Sequence, residues 1–268
     1  MPRLGLSDRS TIAFGDTGAG APLVLVHGSP GEGRAWGRVA RHLQDFRMLT
    51  PDLPGYGGSD PLPGGAGTAA MADAVAAVVD LAAIDAGAVW LAGHSYGGNV
   101  ALHAALARPA RIKGLVLFEP VFFRALALTG ETRELEAGTR HFADYIRRVE
   151  GGDNAAVSRM IEFWFGAGAF ERLPPPVQAY LKSAAPKNAA DVKAAFGETV
   201  DSAALAAFAP PVLVAYGASS PPVVAAIAAA LASLLPQATT APIAGATHAM
   251  LDTHPEAVAA LIARMAAP

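Results

Sequence analysis

The sequence predicts an α/β fold in which helices cover both faces of a mostly parallel β-sheet. Five short runs rich in Val, Leu and Ile lack polar alternation, which is typical of strands buried on both faces. Helical patterns separate several of these runs, and such alternation builds parallel sheets through right-handed crossovers. The predicted strands are residues 22–28, 47–53, 89–94, 114–120 and 211–217. The predicted helices around them are residues 69–84, 99–109, 221–235 and 255–266.

One long region interrupts this alternation. No convincing strand pattern occurs from residue 121 to residue 200, where charged and aromatic residues increase together. Three segments of this region have helical patterns: residues 131–150, 155–165 and 175–184. We interpret the region as a helical insertion between two strands. The predicted domains are therefore a core, residues 1–120 and 201–268, and an insertion, residues 121–200.

Composition narrows the class of protein. The chain has 268 residues, 52% of them hydrophobic and 16% charged, which is enough for a substantial core. A formal net charge of −3 lacks the basic surplus that is typical of nucleic-acid binding proteins. The absence of cysteine excludes disulfides, a thiolate nucleophile and cysteine-ligated metal. We therefore expect no metal, no cofactor and no nucleic-acid partner.

Two further observations concern the location of the protein. Residues 1–15 lack the uninterrupted apolar core of a secretory signal. The longest apolar stretch, residues 223–235, is shorter than the roughly 20 residues that a membrane span needs. We expect a cytoplasmic protein that binds a small-molecule substrate and no membrane. The sequence leaves open whether the protein forms a homodimer.

The candidate nucleophile is Ser95, at the centre of the segment GHSYGG. The segment follows a predicted strand and opens a predicted helix. A serine on so sharp a turn takes strained backbone angles, and the turn needs small neighbours such as Gly93 and Gly97. The turn exposes the hydroxyl group and places the Tyr96 amide at a helix start, where partial positive charge favours an anion.

A second glycine-rich loop, VLVHGSPGEG, also follows a predicted strand. Stabilising an oxyanion requires two converging N–H donors. Because Pro30 has no N–H, we expect the two donors to be the backbone amides of Ser29 and Tyr96. We interpret His27 as a structural hydrogen-bonding residue, since buried polar groups need partners.

The candidate general base is His248, in a loop before the last predicted helix. Neutral imidazole suits proton transfer near physiological pH. His254 directly precedes Pro255 and is interpreted as a helix-start residue. His94 is expected to point away from Ser95, because neighbours on a strand alternate faces.

Four segments in this order resemble the α/β-hydrolase fold superfamily: VHGSPG, DLPGYGGSD, GHSYGG and GATHAMLDTHPEAV. The resemblance implies an α/β-hydrolase fold with a mostly parallel, doubly wound sheet. The insertion after the strand ending at Glu119 is then the helical cap. The resemblance also implies that Ser95 is the nucleophile, His248 the base, and the Ser29 and Tyr96 amides the oxyanion hole.

The sequence departs from this family at the expected position of the acid. In most of the superfamily the acid follows the strand that corresponds to residues 211–217, where this chain has Ser219 and Ser220. Neither Asp nor Glu occurs anywhere from residue 202 to residue 251. Serine can accept or donate a hydrogen bond but cannot stabilise an imidazolium as a carboxylate does.

Glu119 is the candidate acid. It ends the preceding predicted strand, 24 residues after Ser95. Some branches of the superfamily, including certain haloalkane dehalogenases, place the acid at the end of this strand. A carboxylate at the tip of a buried strand needs a partner. That partner is the histidine, an arginine such as Arg124, or the first turn of the insertion, which the carboxylate would cap. The hypothesis is a triad of Ser95, His248 and Glu119.

A serine nucleophile with an oxyanion hole fits attack on an acyl carbon. We expect a carboxylic ester hydrolase that works through an acyl-enzyme. Carbon–carbon bond hydrolysis and cofactor-free perhydrolysis are alternatives that use the same residues. A non-catalytic ligand-binding protein of the same fold is a further alternative, favoured by the missing acid. Aromatic residues of the insertion are candidate pocket residues that indicate an apolar or aromatic substrate: Phe123, Phe163 and Trp164.

Overall fold

The computed structural model describes residues 1–63 and 67–266 and confirms the predicted fold class. Eight strands of the described residues form one sheet. In chain order they are β1 (Arg3–Gly5), β2 (Thr11–Gly18), β3 (Ala21–Val26), β4 (Phe46–Pro51), β5 (Val89–His94), β6 (Ile112–Phe118), β7 (Val212–Gly217) and β8 (Ala238–Ile243). Their order across the sheet is β1-β2-β4-β3-β5-β6-β7-β8.

The sheet is parallel from β4 to β8 and antiparallel at one edge. There β2 pairs antiparallel with both β1 and β4. The five predicted strands correspond to β3 through β7. The sequence patterns did not predict β1, β2 or β8. In β8, Thr239, Thr240 and Pro242 are exposed, so this edge strand lacks the continuous apolar run of a central strand.

Helices cover both faces of the sheet. In chain order they are α1 (Gly37–Ala40), α2 (Thr68–Ala82), α3 (Tyr96–Ala107), α4 (Phe123–Thr129), α5 (Thr132–Glu150), α6 (Val157–Phe165), α7 (Pro175–Phe196), α8 (Ser202–Ala206), α9 (Pro222–Leu234), α10 (Met250–Thr253) and α11 (Pro255–Ala266). Successive residues of β6 divide between two cores. Leu115 and Leu117 pack in the core formed with α2, α3 and α9, whereas Val116 and Phe118 pack with α1 and α11.

The predicted insertion, residues 121–200, contains α4 to α7 and no strand among its residues, all of which are described. In α5 the buried residues Phe142, Tyr145 and Val149 recur every three or four positions, which gives the helix one apolar face. The helix predicted for residues 175–184 continues to Phe196. Its early predicted end was wrong, since α7 contains Pro186 without ending there. The domain boundaries themselves remain a prediction.

The parallel order places the carboxyl ends of β3, β5, β6 and β7 side by side at one edge of the sheet. Loops that leave these ends meet the insertion and build the site described below. Among the described helices, none has both the length and the apolar character needed to cross a membrane.

Candidate active site

Ser95 lies on the sharp turn between β5 and α3. Its backbone has φ 57° and ψ −128°, which is the strained conformation expected for such a turn. Small neighbours are required: a Cβ atom on Gly97 would lie 2.1 Å from the His27 carbonyl oxygen, and one on Gly93 would lie 2.3 Å from that of Gly97. The Ser95 N–H donates to the Phe118 carbonyl at 2.9 Å, so the turn is fixed to β6.

A continuous series of hydrogen bonds joins Ser95, His248 and Glu119. The distance from Ser95 Oγ to His248 Nε2 is 3.0 Å, and that from His248 Nδ1 to Glu119 Oε2 is 2.6 Å. All three side chains are buried, with exposed fractions of 7%, 4% and 0% respectively. This arrangement can deprotonate the serine hydroxyl group and stabilise the imidazolium that results.

The Glu119 carboxylate has donors on both oxygen atoms. Besides the His248 bond, its Oε1 accepts from the Gly217 N–H at 2.7 Å and from Ser220 Oγ at 2.5 Å. Burial raises the pKa of Glu119, but the bonds from His248, Ser220 and Gly217 outweigh it, so its pKa lies below the ordinary value of 4.5. Ser220, which occupies the region where the acid was expected, therefore bonds the relocated carboxylate.

The alternative partner for Glu119, Arg124, lies elsewhere. Its Nε donates to the Val200 carbonyl at 3.0 Å. The ionic contact that the structure gives for Glu119 is with His248. The strand-tip carboxylate is therefore partnered by the candidate base.

Aromatic rings hold the His248 imidazole in place. The Trp164 ring stacks on it with centroids 4.6 Å apart and an interplanar angle of 20°. The ring of His94 lies 4.7 Å from the His248 ring, and His94 Nε2 donates to the His248 carbonyl at 3.0 Å. Burial and the neighbouring His248 lower the pKa of His94 to about 3, so that ring remains neutral.

The loop after β3, which carries the expected oxyanion donor Ser29, lies against the same turn. In the described residues, neither the Ser29 nor the Tyr96 backbone N–H donates to another group of the protein. The Ser29 side chain is tied to the insertion, because its Oγ donates to Asp191 at 2.7 Å and accepts from Asn188 at 3.0 Å. Tyr56 also donates to Asp191, at 2.7 Å. The insertion thus positions the loop that carries one of the two expected oxyanion donors.

Sequence reasoning missed Asp191 and Asn188. Both are on α7, with exposed side-chain fractions near 1%, and Lys187 pairs with Asp191 on the same helix. They lie about 160 residues from Ser29 in the chain, within a helix whose polar residues resemble solvent-facing positions. No local motif signals their contact with the loop.

The predictions for other histidines have mixed outcomes. His27 is structural, since its Nε2 accepts from the Leu53 N–H at 2.8 Å and burial lowers its pKa to about 4. His254 ends α10 immediately before α11. For His94 the expectation was wrong in part. The ring makes no hydrogen bond to Ser95, but it packs on His248 and lines the same cavity.

Two cavities open at Ser95. The larger has a volume of about 470 Å³ and is lined by His248 and His94 together with residues of α6 and α7. The smaller has a volume of about 30 Å³ and is lined by Tyr96 and residues of α7. Four residues line both cavities: Ser29, Ser95, Met160 and Trp164.

The three candidate pocket residues occupy different places. Trp164 lines both cavities and Phe123 lines the smaller one. Phe163 lines neither, so its prediction as a pocket residue requires correction. Its ring packs against Phe142 and Trp164, with centroid distances of 4.8 and 4.7 Å. Adjacent residues of a helix point in different directions, so Trp164 lines the cavities while Phe163 packs against Trp164 away from them.

Within residues 1–63 and 67–266, no group of three or more side chains has the identity and spacing to hold a metal ion. The groups that the structure brings together at the site are the Ser95 hydroxyl, the His248 imidazole, the Glu119 carboxylate and nearby backbone amides.

Comparison with known proteins places this site in a family. Residues 21–255 match the α/β hydrolase fold family, and the chain belongs to it. A pimeloyl-[acyl-carrier protein] methyl ester esterase from Yersinia pseudotuberculosis is 31% identical over 260 residues, which are 91% of this chain and 92% of that protein. The lipase LipV from Mycobacterium tuberculosis is 34% identical over 165 residues, which are 61% of this chain and 56% of that protein.

Solved structures agree with the family assignment. A thermophilic esterase from Thermogutta terrifontis has a TM-score of 0.71 and 28% identity, with 98% of this chain and 97% of that chain covered. Several curated relatives are matched over only part of their length, from 33% of one to 60% of another. The family is therefore established, and the activity is treated as a proposal.

Proposed function

We propose that the protein is a serine hydrolase that cleaves carboxylic esters of small molecules through an acyl-enzyme on Ser95. The observation that carries this proposal is the series of hydrogen bonds from Ser95 through His248 to Glu119, in a pocket with two unpaired backbone amides. Each group is placed for a different part of acyl transfer.

In the proposed mechanism, His248 Nε2 takes the proton from Ser95 Oγ as that oxygen attacks the acyl carbon. The amides of Ser29 and Tyr96 stabilise the oxyanion. Glu119, the triad acid, orients the imidazole and stabilises its protonated form. His248 then protonates the departing alkoxide, and a water activated by the same nitrogen cleaves the acyl-enzyme.

The names of the relatives support a hydrolytic reaction, since they include a lipase and a methyl ester esterase. We further propose that the enzyme acts in the cytoplasm. We also propose that it has no nucleic-acid partner, because the chain has a formal net charge of −3. The proposed mechanism does not depend on whether the protein is a monomer or a homodimer, because its groups belong to one chain.

The test combines fluorophosphonate labelling with turnover of p-nitrophenyl acetate in the parent protein and in Ser95→Ala. We expect fast labelling at Ser95 in the parent, and a loss of kcat on the order of 10⁶-fold in the variant. Ser219→Ala is the matched control, since that serine is exposed and close to the site in the fold. It should label and turn over like the parent.

Two results would contradict the proposal. Absence of both labelling and turnover across a varied ester panel would favour a ligand-binding protein. Labelling at Ser95 with turnover of a diketone, but not of esters, would reassign the reaction to carbon–carbon bond hydrolysis.

A further inference from the structure

The two cavities at Ser95 differ greatly in size and in the catalytic groups that they contain. The larger, of about 470 Å³, includes His248 in its wall, whereas the smaller, of about 30 Å³, includes Tyr96. Ser95 lies in the wall of both. A substrate bonded to Ser95 Oγ must therefore divide its substituents between two unequal compartments.

The direction of each substituent follows from the chemistry of the tetrahedral intermediate. Its oxyanion must face the amides of Ser29 and Tyr96, because these are the free N–H donors at the site. Its departing oxygen must approach His248 Nε2, which supplies the proton. The alcohol therefore extends into the cavity that His248 lines, and the remaining substituent, the acyl group, enters the other.

We infer that the small cavity is the acyl site and the large cavity the alcohol site, so that the preferred substrates are short-chain acyl esters of bulky apolar alcohols. This inference rests on the proposed serine hydrolase function. A volume of about 30 Å³ holds two or three water-sized groups, which is room for an acetyl or propionyl group.

The walls of the small cavity resist expansion. Phe123 and Phe142 contribute to the wall, and both are less than 3% exposed. Phe123 stacks on Phe196 with centroids 4.3 Å apart. A longer acyl chain would have to displace this packed aromatic cluster, and overpacking a close-packed region typically costs about 1–3 kcal/mol.

The small cavity also disfavours a substrate group with a negative charge. The Asp191 carboxylate lies in its wall and is already bonded by Ser29, Tyr56 and Lys187. An acyl group that ends in a carboxylate would place a second negative charge beside this one without a free cation in the wall. The acyl site therefore disfavours an acyl group with a negative charge.

The large cavity is apolar as well, but it has far more room. Its wall includes Ile161, Leu173, Leu181 and Leu251 together with Trp164. Its volume falls in the range typical of small-molecule sites, about 300–1,000 Å³. A branched or aromatic alcohol fills such a space and removes apolar surface from water.

Two series of substrates test the inference in the parent protein. In the first, the alcohol is p-nitrophenol and the acyl chain grows from acetyl to octanoyl. In the second, the acyl group is acetyl and the alcohol grows from ethanol to 2-phenylethanol, which have similar acidity. We expect kcat/KM to fall at least 10-fold between propionyl and hexanoyl esters, and to rise with the size of the alcohol.

A matched pair of variants assigns these preferences to the cavities. Val192 lines only the small cavity and Val177 only the large one, and both are on α7. Val192→Ala should raise the ratio of butanoyl to acetyl turnover about 5-fold or more. Val177→Ala should leave that ratio unchanged and weaken the preference for 2-phenylethyl over ethyl acetate.

Other outcomes overturn the inference in distinguishable ways. Parent turnover that rises with acyl length and falls with alcohol size would reverse the assignment of the two cavities. A change in acyl preference from Val177→Ala, but not from Val192→Ala, would do the same. Failure of the proposed function itself would instead abolish turnover of both series and labelling at Ser95.

Discussion

Two glutamates of this protein are both buried, but their carboxyl groups have very different surroundings. Glu119, at the end of β6, has no exposed surface, and Glu198, just after α7, is 8% exposed. Three donors reach Glu119, on both of its oxygen atoms. Among the described residues, Asn99 Nδ2 donates to Glu198 at 2.9 Å, and His103 Nε2 lies 3.7 Å away. Glu198 Oε2 has no hydrogen-bond partner in the described part of the chain.

The difference shows that the donors around a buried carboxyl group, and not burial alone, set the direction in which its pKa shifts. Burial raises the pKa of both groups. At Glu119 the surrounding bonds outweigh burial and the pKa is lowered, whereas at Glu198 burial prevails and the pKa is raised. Glu119 is therefore equipped to stabilise an imidazolium, and Glu198 has no reacting group beside it.

Within this comparison, the largest difference in kcat is expected when the same substitution is made at both glutamates. Glu119→Gln should lower kcat for p-nitrophenyl acetate by about 10³- to 10⁴-fold, because a neutral amide neither holds the correct imidazole tautomer nor stabilises its charge. Glu198→Gln should leave kcat within about 2-fold of the parent, since the contacts of Glu198 are with Asn99 and His103 and not with the reacting groups. Initial rates and fluorophosphonate labelling rates measure both.

Circular dichroism and the thermal unfolding midpoint show whether each variant remains folded. A folded Glu119→Gln protein that keeps more than a tenth of the parent kcat would remove Glu119 from the triad. The site would then work with Ser95 and His248 alone.

A smaller effect concerns the dependence of stability on pH. Because the folded-state pKa of Glu119 is lowered, its carboxylate contributes stability at pH values above its ordinary pKa of 4.5. This contribution is lost as the pH falls through the folded-state pKa. The folded-state pKa of Glu198 is raised, so its contribution to stability changes with pH in the opposite direction. Its favourable contribution is present below 4.5 and is lost as pH rises through the folded pKa.

Urea unfolding of the parent and both Glu→Gln variants between pH 3.5 and 7 measures these contributions. The stability lost by Glu119→Gln should be greatest at pH 7 and should shrink on acidification. Glu198→Gln should gain stability relative to the parent as pH rises. Each unit of pKa difference between the folded and unfolded states corresponds to about 1.4 kcal/mol. If the stability difference from the parent changed with pH in the same direction for both variants, the comparison of the two glutamates would be contradicted.

The sequence predicted much of the triad region because its signals are local. Ser95 and His248 lie in recognisable segments, and Glu119 ends an apolar run in a chain whose usual acid position holds serine. The bonds that make Glu119 an effective anion were not predictable. They come from Gly217 and Ser220, about 100 residues away, at the end of a neighbouring strand.

The region around Glu198 was not predicted at all, for a physical reason. Asn99 and His103 are one helical turn apart on α3, and Glu198 reaches them through the packing of the insertion on the core. Helix periodicity shows which residues share a face, but it does not show which distant segment covers that face. The same limit hid the contact of Asp191 with Ser29.

The smallest predicted effect tests whether Glu119 can be made more like Glu198. Ser220→Ala removes one donor from Glu119 Oε1 and leaves the Gly217 N–H on that oxygen. The pKa of Glu119 should rise, so that stability is lost at a higher pH on acidification. We expect kcat to fall about 3- to 10-fold, because a hydrogen bond to a charged group contributes about 1.5–3 kcal/mol and only part of this is felt at His248. Ser219→Ala is the matched control, since its exposed side chain has no bond to Glu119 among the described residues. Equal effects of the two serine variants would show that the bond from Ser220 does not support the carboxylate.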